Sequence, residues 1–384
     1  MRRSELSLVL LIGCLISLLF PGINSASTRT YYIAAEEILW DYAPSYPTDP
    51  MHGMPFTETQ DIFLRSDPQN RIGHRYYKAH YVEYTDASFT HLKERSPEWE
   101  HLGILGPVIR ANVGDEIRVI LKNSLKDHPV SMHPHGVFYS KRHEGTHYAD
   151  GTGPEEKHDD MIEPGEQYTY EWSVPERSGP GPQDPSSIVW LYHSHVDEVA
   201  DTNAGLIGAI IISRKGFLQK NGKLKDIDRE FVVLFSVMDE NKSWLLEKNM
   251  GQMASPNIKP DDPEFIESNL MHSMNGFVYS NIKGLVMNKG EKVRWYQIAL
   301  GTEVDVHTPH WHGNTLTETG KRVDVLNLLP GTHITVDMTP DNPGTWMYHC
   351  HVNDHIEAGM MGSYLVKDTP TQNKAAKEAL KSEH

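Results

Sequence analysis

YHCHVNDHIEAGMM, the stretch from Tyr348 to Met361, holds one of the two cysteines of the chain, Cys350. Successive side chains of a β-strand point to opposite faces, so Cys350 should face one side while His349 and His351 face the other. Two further candidate ligands follow at five and ten residues past the cysteine, His355 and Met360. Cysteine, histidine and a weakly bound methionine are the ligand types of an electron-transfer copper site. The stretch therefore predicts a strand with a copper site on one face and more metal ligands on the other.

Histidines separated by one residue occur at four places. The pairs are His133 with His135, His193 with His195, His310 with His312, and His349 with His351. Eight imidazoles are what a three-copper cluster needs if one metal binds two and the others bind three each. His307 lies three residues before His310 and has the opposite strand parity, so it would complete the Cys350 site, although Pro309 perturbs the strand. A structural histidine usually explains one such pair, but it does not explain four.

In this order, the motifs HPHG, HSH, HTPHWH and HCHxxxHxxxxM resemble the four copper motifs of the multicopper oxidases. The resemblance implies a type 1 copper bound by His307, Cys350, His355 and Met360, and a type 2 copper bound by His133 and His310. It implies one type 3 copper on His135, His193 and His351, and a second on His195, His312 and His349. Four coppers would then pass electrons from the type 1 site, through Cys350, to a cluster that reduces dioxygen to water.

Residues 1–26 have a basic start, an apolar run from Leu6 to Phe20, and small residues at the end. This pattern predicts a secretory signal peptide, which is too short to span a membrane. Its removal takes Cys14 away, so Cys350 remains alone and no disulfide within the chain is possible. A lone thiol in an oxidising compartment favours burial or metal binding. No later stretch is apolar enough for a membrane span, so we expect a secreted, extracellular protein.

The formal net charge of −16 comes from 52 acidic and 36 basic residues. Such a charge argues against nucleic acid and against anionic membranes as partners. It would favour a cationic substrate, although a solubility charge on an exported protein explains it as well.

The body of the chain consists of two similar halves. Residues 101–136 and 281–313 repeat one plan, in which a glycine turn leads into an alternating strand and then into a histidine pair. Short alternating strands with Gly, Pro and Asp turns predict an all-β fold of two antiparallel β-sandwiches. The resemblance identifies these as cupredoxin-like Greek-key domains. We expect a first domain at 27–217, a second domain at 218–368 and a polar tail at 369–384.

The two domains differ in their expected metal content. Ser194 stands in the first domain where Cys350 stands in the second, and Val199 stands where His355 stands. The first domain therefore cannot hold a copper of the cysteine type, and its histidines can only contribute to a shared cluster. That cluster should straddle a domain interface.

From Tyr31 to about Val366 the chain is similar to the ceruloplasmin and hephaestin family of animal ferroxidases and their clotting-factor relatives. The stretches that carry this similarity include YYIAAEEILWDYAP, GPVIRANVGDEI, DREFVVLFSVMDEN and ESNLMHSMNG. Family chains usually have six such domains, and the two here match the first and the last in their copper ligands. Three copies would rebuild the six-domain ring, so we expect a homotrimer. A monomer whose two domains fold onto each other is the alternative.

The resemblance also implies an iron site that serves iron homeostasis. Glu267, His272 and Asp354 stand where the ferroxidases carry iron ligands, and Glu303 matches a carboxylate lent by a neighbouring domain. Hard carboxylate oxygens favour ferric over ferrous iron. Fe(II) and O2 would be the substrates, and an iron-carrier protein is a further expected partner.

Other sites and functions remain open at this level. Glu156, Asp159 and Asp160 lie where the family binds calcium, and Asn241 opens an N-glycosylation sequon. A phenol (laccase-like) oxidase or a cuprous oxidase would use the same copper sites, and methionine pairs suit cuprous ions. These pairs are Met250 with Met253 and Met271 with Met274. A non-catalytic, clotting-factor-like interaction module is the third alternative.

Overall fold

The computed structural model of the chain describes residues 27–67, 69–253 and 258–368. The predicted signal peptide at 1–26 and the predicted tail at 369–384 lie outside these residues. None of the helices in the described ranges is long and apolar enough to cross a bilayer.

The first domain contains ten strands and two short helices. The strands are β1 (Thr28–Asp41), β2 (Thr48–Asp49), β3 (Met54–Pro55), β4 (Arg75–Tyr84), β5 (Ile109–Asn112), β6 (Glu116–Asn123), β7 (His133–Pro134), β8 (Gln167–Ser173), β9 (Ser187–His193) and β10 (Ile207–Ser213). The helices are α1 (Asp61–Leu64) and α2 (Glu198–Ala204).

The second domain repeats the plan with ten more strands and three helices. The strands are β11 (Arg229–Asp239), β12 (Leu270–Met274), β13 (Val286–Asn288), β14 (Val293–Ala299), β15 (Pro309–Trp311), β16 (Leu316–Glu318), β17 (Lys321–Val323), β18 (His333–Met338), β19 (Gly344–Cys350) and β20 (Met361–Lys367). The helices are α3 (Leu246–Met253), α4 (Pro263–Ser268) and α5 (Asn353–Glu357). Residues 214–228 connect the two domains.

Each domain is a sandwich of two sheets, so the prediction of two β-sandwich domains is confirmed. In the first domain the sheets run β4-β1-β6-β8 and β5-β10-β9-β7, and in the second they run β12-β11-β14-β18-β16-β17 and β13-β20-β19-β15. The expectation of purely antiparallel sheets is wrong, because β1 pairs with β6, β10 with β5, β11 with β14 and β13 with β20 in parallel. These strands meet through long Greek-key connections, which allow either direction.

Strand burial follows from the position of each sheet. Along β6 the residues alternate between exposed or half-buried and buried, as expected for a strand with one face on a core. Every residue of β10 and of β14 is buried. Ile210 of β10 packs in the core of the first domain, whereas its neighbours Ala209 and Ile211 pack against the second domain. Strands covered on both faces lose the alternating pattern.

The two domains share an apolar core and buried polar contacts. Leu191 and Ile211 of the first domain share one cluster with Leu234 and Ile298 of the second. Lys78 and Glu240 form an ion pair across this interface, and both side chains are 0% exposed. Because a buried charge is costly without its partner, this pair ties the position of one domain to the other.

The connection between β1 and β4 extends from the first domain onto the second. Phe63 of α1 packs edge-on against His272, with ring centroids 5.9 Å apart. Phe56 packs against Tyr279, with centroids 5.7 Å apart. This segment therefore contacts the second domain close to the residues proposed for iron.

Candidate metal centre

Cys350 is the last residue of β19 and lies inside the core of the second domain. Its Sγ atom is 3.6 Å from Nδ1 of His355 and 3.9 Å from Nδ1 of His307. The two Nδ1 atoms are 3.1 Å apart, and all three residues are buried. Three potential ligand atoms of soft and intermediate character thus converge on one point.

Backbone pairing brings these residues together. Cys350 lies opposite Pro309 in the β15–β19 register, and His307 exchanges hydrogen bonds with the backbone of Leu328. The backbone N–H of Cys350 donates to the carbonyl of Met360, and the N–H of Met360 donates to the carbonyl of His355. Met360 is fully buried in the same core. The strand ends and the turn after α5 therefore fix the predicted type 1 set.

Asp305 contacts Nε2 of His307, the ring nitrogen that faces away from Cys350. This contact was not predicted from the sequence. Oδ1 of Asp305 is 3.2 Å from Nε2 of His307 and accepts the backbone N–H of Val237 at 2.7 Å. The side chain is 1% exposed. A carboxylate on the far nitrogen orients an imidazole and leaves its other nitrogen for a metal. An acid two residues before the ligand was the only sequence signal.

Cys350 favours its deprotonated, metal-binding form. Burial raises the pKa of the Cys350 thiol, but hydrogen bonds from His307 and His355 outweigh it and lower the pKa to about 6. Burial lowers the pKa of His307, while contacts with Asp305 and Cys350 raise it overall. The cysteine is therefore a thiolate at neutral pH, which is the form that binds metals.

Four histidines of the first domain form a second group. Neighbouring rings of His133, His135, His193 and His195 have centroids 5.3–5.6 Å apart. Nε2 of His135 and Nε2 of His193 are 3.2 Å apart. The Nδ1–H of His133 donates to the carbonyl of Glu144, and the Nδ1–H of His193 donates to the carbonyl of Ser194. These bonds leave Nε2 of both rings free for a metal.

Burial keeps the rings of His135 and His193 neutral at physiological pH. Burial lowers the pKa of His135 to about 4 and the pKa of His193 to about 3. Neutral imidazoles that point inward are the usual ligands of copper in proteins.

Four histidines of the second domain form a third group. Nε2 of His349 is 3.0 Å from Nε2 of His312 and 3.3 Å from Nδ1 of His310. The His351 ring is 5.3 Å from that of His310 and the residue is exposed. The Nδ1–H of His349 donates to the carbonyl of Cys350 at 2.6 Å. This group therefore lies directly behind the cysteine site and is linked to it through the backbone.

The two four-histidine groups do not meet within one chain. In the described ranges, every close ring pair among these eight histidines joins two residues of the same domain. Both groups include half-buried or exposed members. Each group therefore has a side that the rest of the chain does not cover.

In the first domain a polar network surrounds Ser194, the residue that corresponds to Cys350. The backbone N–H of Ser194 donates to the carbonyl of Leu206, as that of Cys350 does to Met360. The hydroxyl of Ser194 donates to Oδ2 of the fully buried Asp201 at 2.6 Å, and Nε2 of His128 lies 2.7 Å from Oδ1. Asp201 was also missed by the sequence analysis, because a single acid in a short helix gives no pattern.

Of the residues predicted for iron, His272 lies next to the cysteine site and the three acids lie on the surface. The ring of His272 is buried 5.3 Å from that of His355. Glu267, Asp354 and Glu303 are exposed. In the part of the chain that the structure describes, these four do not form a group with ligand atoms within 4.8 Å. The iron site therefore stays a prediction.

The predicted calcium loop contains one lysine, Lys157, among its acids. Asp159 is fully buried and accepts the backbone N–H of Gly145 at 2.7 Å, and burial raises its pKa to about 6. Asp160 lies 3.7 Å from the ammonium of Lys157. Glu156 is half-buried in the adjoining turn. Calcium binding here stays a prediction, as does glycosylation of Asn241, whose amide donates to Ile266 and accepts from Asn269.

Comparison with known sequences shows the family of the chain. Multicopper oxidase family models match residues 82–216 and 247–370. The chain is 42% identical to human Ferroxidase HEPHL1 over 362 residues, which cover 92% of this chain and 31% of that protein. It is 44% identical to human ceruloplasmin, over 92% of this chain and 34% of that protein. It is 43% identical to mouse hephaestin, over 90% of this chain and 29% of that protein. The chain thus spans about a third of the length of these relatives.

Solved structures share the fold at low sequence identity. The multicopper oxidase mgLAC has a TM-score of 0.56 and 20% identity, and the alignment covers 91% of this chain and 89% of that one. Copper nitrite reductase from Nitrosomonas europaea has a TM-score of 0.54 and 16% identity, and the alignment covers 89% of this chain and 94% of that one. These likenesses confirm the predicted cupredoxin-like fold. With its two matched domains and its similarity to ceruloplasmin and hephaestin, the chain belongs to the multicopper oxidase family.

Proposed function

We propose that this chain is a secreted multicopper oxidase that oxidises Fe(II) to Fe(III) and reduces O2 to water. The observation that carries the proposal is the buried set of Cys350, His307 and His355, whose Sγ and Nδ1 atoms face one another. One of the similar proteins is named a ferroxidase, which favours iron as the electron donor.

The residues present fit copper. A thiolate, two imidazoles and a methionine next to them are the donors of an electron-transfer copper site, and converging neutral imidazoles suit the other coppers. When bound, four coppers per functional unit would supply one-electron oxidation of the donor and four-electron reduction of O2.

The chain itself orients and links the sites. Asp305 fixes the ring of His307, and the carbonyl of Cys350 accepts the Nδ1–H of His349 at 2.6 Å. This contact and the peptide bonds on either side of Cys350 give a short connection between the cysteine site and the histidine group behind it. A fixed geometry keeps the rearrangement that accompanies electron transfer small.

Assembly between copies would complete the cluster. The group around His193 and the group around His349 stay separate within one chain, and each has an open side. A head-to-tail contact would join the first-domain group of one copy to the second-domain group of the next. Heterologous contacts close into a ring when the rotation between copies allows it, and three two-domain copies would supply the six domains expected of the longer family chains, so we propose a homotrimer.

Ferrous iron would bind next to the cysteine site. His272 lies against His355, and Glu267 and Asp354 are on the short helices α4 and α5 nearby. Glu303 of the partner subunit would add a further carboxylate. Carboxylates stabilise the ferric product and thereby assist loss of the electron.

The methionine pairs give little support to the cuprous alternative. Met271 and Met274 are fully buried in hydrophobic clusters, so their thioethers are not available to an ion from solvent. Met250 is partly buried against the interdomain core, and the side chain of Met253 lies outside the described residues.

Oxygen uptake by the copper-loaded protein tests the assignment. We expect Fe(II) to be a better donor than cuprous ion or a phenol, and we expect Glu267→Gln with His272→Ala to lower the iron-driven rate at least about tenfold. The phenol-driven rate should change little, and so should both rates in the control Glu264→Gln on the same helix. Equal loss with all donors would contradict the iron site, and no uptake by a copper-loaded sample would favour a binding module.

A further inference from the structure

A cavity of about 790 Å³ lies between the first domain and the beginning of the second. Strands β1 and β4 form one wall, and the segments 92–110 and 218–230 form the others. Among the described residues that line it, none belongs to the copper or iron sets. Its volume is within the range of pockets that enclose small organic ligands.

Aromatic and aliphatic surfaces face this cavity. Tyr31, Trp40 and Trp99 line it and are only half-buried, because part of each ring is not covered by the protein. Leu92, also in the lining, is 56% exposed. Uncovered aromatic faces of this kind stack on planar rings.

The lining is also cationic, although the chain as a whole is acidic. Seven lysines and arginines line the cavity against five acids, in a chain with a net charge of −16. Among the described residues no carboxylate lies within 4.0 Å of Arg95, whose guanidinium donates to the carbonyls of Gly103 and Leu105. Burial and the charge of Arg95 lower the pKa of His80 to about 4, so this lining histidine is neutral.

Arg110 is a second cationic group at the cavity, and its guanidinium is only partly satisfied. Its guanidinium lies 5.7 Å from the ring of Trp99, and Nη2 donates to both carboxylate oxygens of Glu230 at 2.7 and 2.8 Å. Nε is buried and has no hydrogen-bond partner among the described residues. A buried N–H without an acceptor is costly, so a small shift of this guanidinium toward an anionic ligand would be favourable.

We propose that this cavity binds a small aromatic organic anion, with its ring against Trp40 and Trp99 and its anionic group at Arg95 and Arg110. Because both domains contribute to the walls, the ligand would also stabilise the docked arrangement of the domains. A ligand that binds only the folded protein raises the unfolding temperature. This site is independent of the copper and iron chemistry.

Titration with 8-anilinonaphthalene-1-sulfonate tests the proposal, since this probe combines an aromatic system with a sulfonate. The copper-loaded full chain would be titrated by calorimetry, and the variants below would locate the binding site. The variant Arg95→Met removes a cation from the cavity, and the variant Leu92→Asp adds an anion to it. Arg118→Met serves as the control, because its exposed pair with Glu171 lies on another face.

We expect one probe per chain, with affinity at least about tenfold lower in Arg95→Met and in Leu92→Asp and unchanged in Arg118→Met. The neutral analogue N-phenyl-1-naphthylamine should bind about tenfold more weakly than the sulfonate. Equal affinity in all variants, several probes per chain, no binding, or equal affinity for the neutral analogue would overturn the proposal.

Discussion

Several histidine rings in this protein are oriented by a contact to one ring nitrogen, which leaves the other nitrogen free. Asp305 contacts the far nitrogen of His307, backbone carbonyls accept the Nδ1–H groups of His133 and His193, and the Cys350 carbonyl accepts that of His349. Each bond fixes the tautomer and leaves the other ring nitrogen for a metal. Ligand geometry therefore depends on residues that would not touch the metal.

Replacement of Asp305 by alanine should weaken the cysteine site. The carboxylate also accepts backbone N–H groups of Val237 and Thr302, so its loss frees the loop that carries His307. We expect copper affinity at this site to fall about 10–100-fold, with Asp305→Asn intermediate. Chelator competition, followed by the blue visible absorption, measures it. Unchanged affinity in Asp305→Ala would show that the loop holds His307 without the carboxylate.

At this scale the sequence identified the histidines and the cysteine but not their supporting acids. Repeated His-x-His pairs form a pattern that chance rarely produces. Asp305 and Asp201 are single acids among 52 acidic residues, and only burial and hydrogen bonding distinguish them. Their role depends on tertiary contacts that no spacing encodes.

The two domains differ in the short helix that follows the strand with the second histidine pair. After β19 the chain enters α5 with His355, whereas after β9 it enters α2 with Val199, which is 53% exposed. Asp201 of α2 replaces metal bonds with hydrogen bonds to Ser194 and His128. The ring of His128 in turn stacks on Trp244 of the second domain, with centroids 4.1 Å apart. One network thus supports both the loop of His193 and the domain contact.

Removal of the Asp201 carboxylate should destabilise the first domain. Asp201→Ala leaves the buried hydroxyl of Ser194 and the ring of His128 without their partner, at a cost of about 2–3 kcal/mol. Asp197→Ala on the same helix removes only the N-terminal cap, which accepts from Ala200, at a cost of about 1 kcal/mol. Urea unfolding of both metal-free variants compares them. Equal losses would mean that Asp201 contributes no more than a helix cap.

Alternating sequence patterns predicted two β-sandwiches and some of their strands, but not which strands pair. The pattern was sufficient for β6, which alternates, and for the presence of two sandwiches. It did not reveal parallel pairs such as β1 with β6. The alternation of apolar residues and the turn residues do not indicate which distant strand pairs with a given strand. The fully buried β10 reflects contact with the other domain, which becomes visible only in the assembled fold.

The whole molecule is organised around one rigid contact within the chain and one open site. The contact includes the buried pair of Lys78 and Glu240, to which Tyr42 also donates. The open site consists of the two separate histidine groups. A firmly docked domain pair cannot close these groups by bending, so in the proposed assembly a second copy would complete the cluster.

Breaking the buried ion pair should loosen the domain contact. Lys78→Met leaves the Glu240 carboxylate buried without its cation, and we expect a loss of about 3–5 kcal/mol in the free energy of unfolding. The double variant Lys78→Met with Glu240→Gln removes both charges and should regain more than half of that loss. Denaturant unfolding of the metal-free proteins measures both. A double variant as unstable as the single one would contradict the role of the unpaired charge.

Activity of mixed subunits tests most directly whether the copper cluster forms between copies. His193→Ala inactivates the first-domain group and His349→Ala inactivates the second-domain group, so each variant alone should consume no oxygen with Fe(II). In co-expressed trimers an intact first domain of one copy meets an intact second domain of another, and about a quarter of the wild-type rate should return. A control mixture of His193→Ala with His195→Ala should stay inactive. No recovery in the first mixture would contradict the account, because it would place the whole cluster within a single chain.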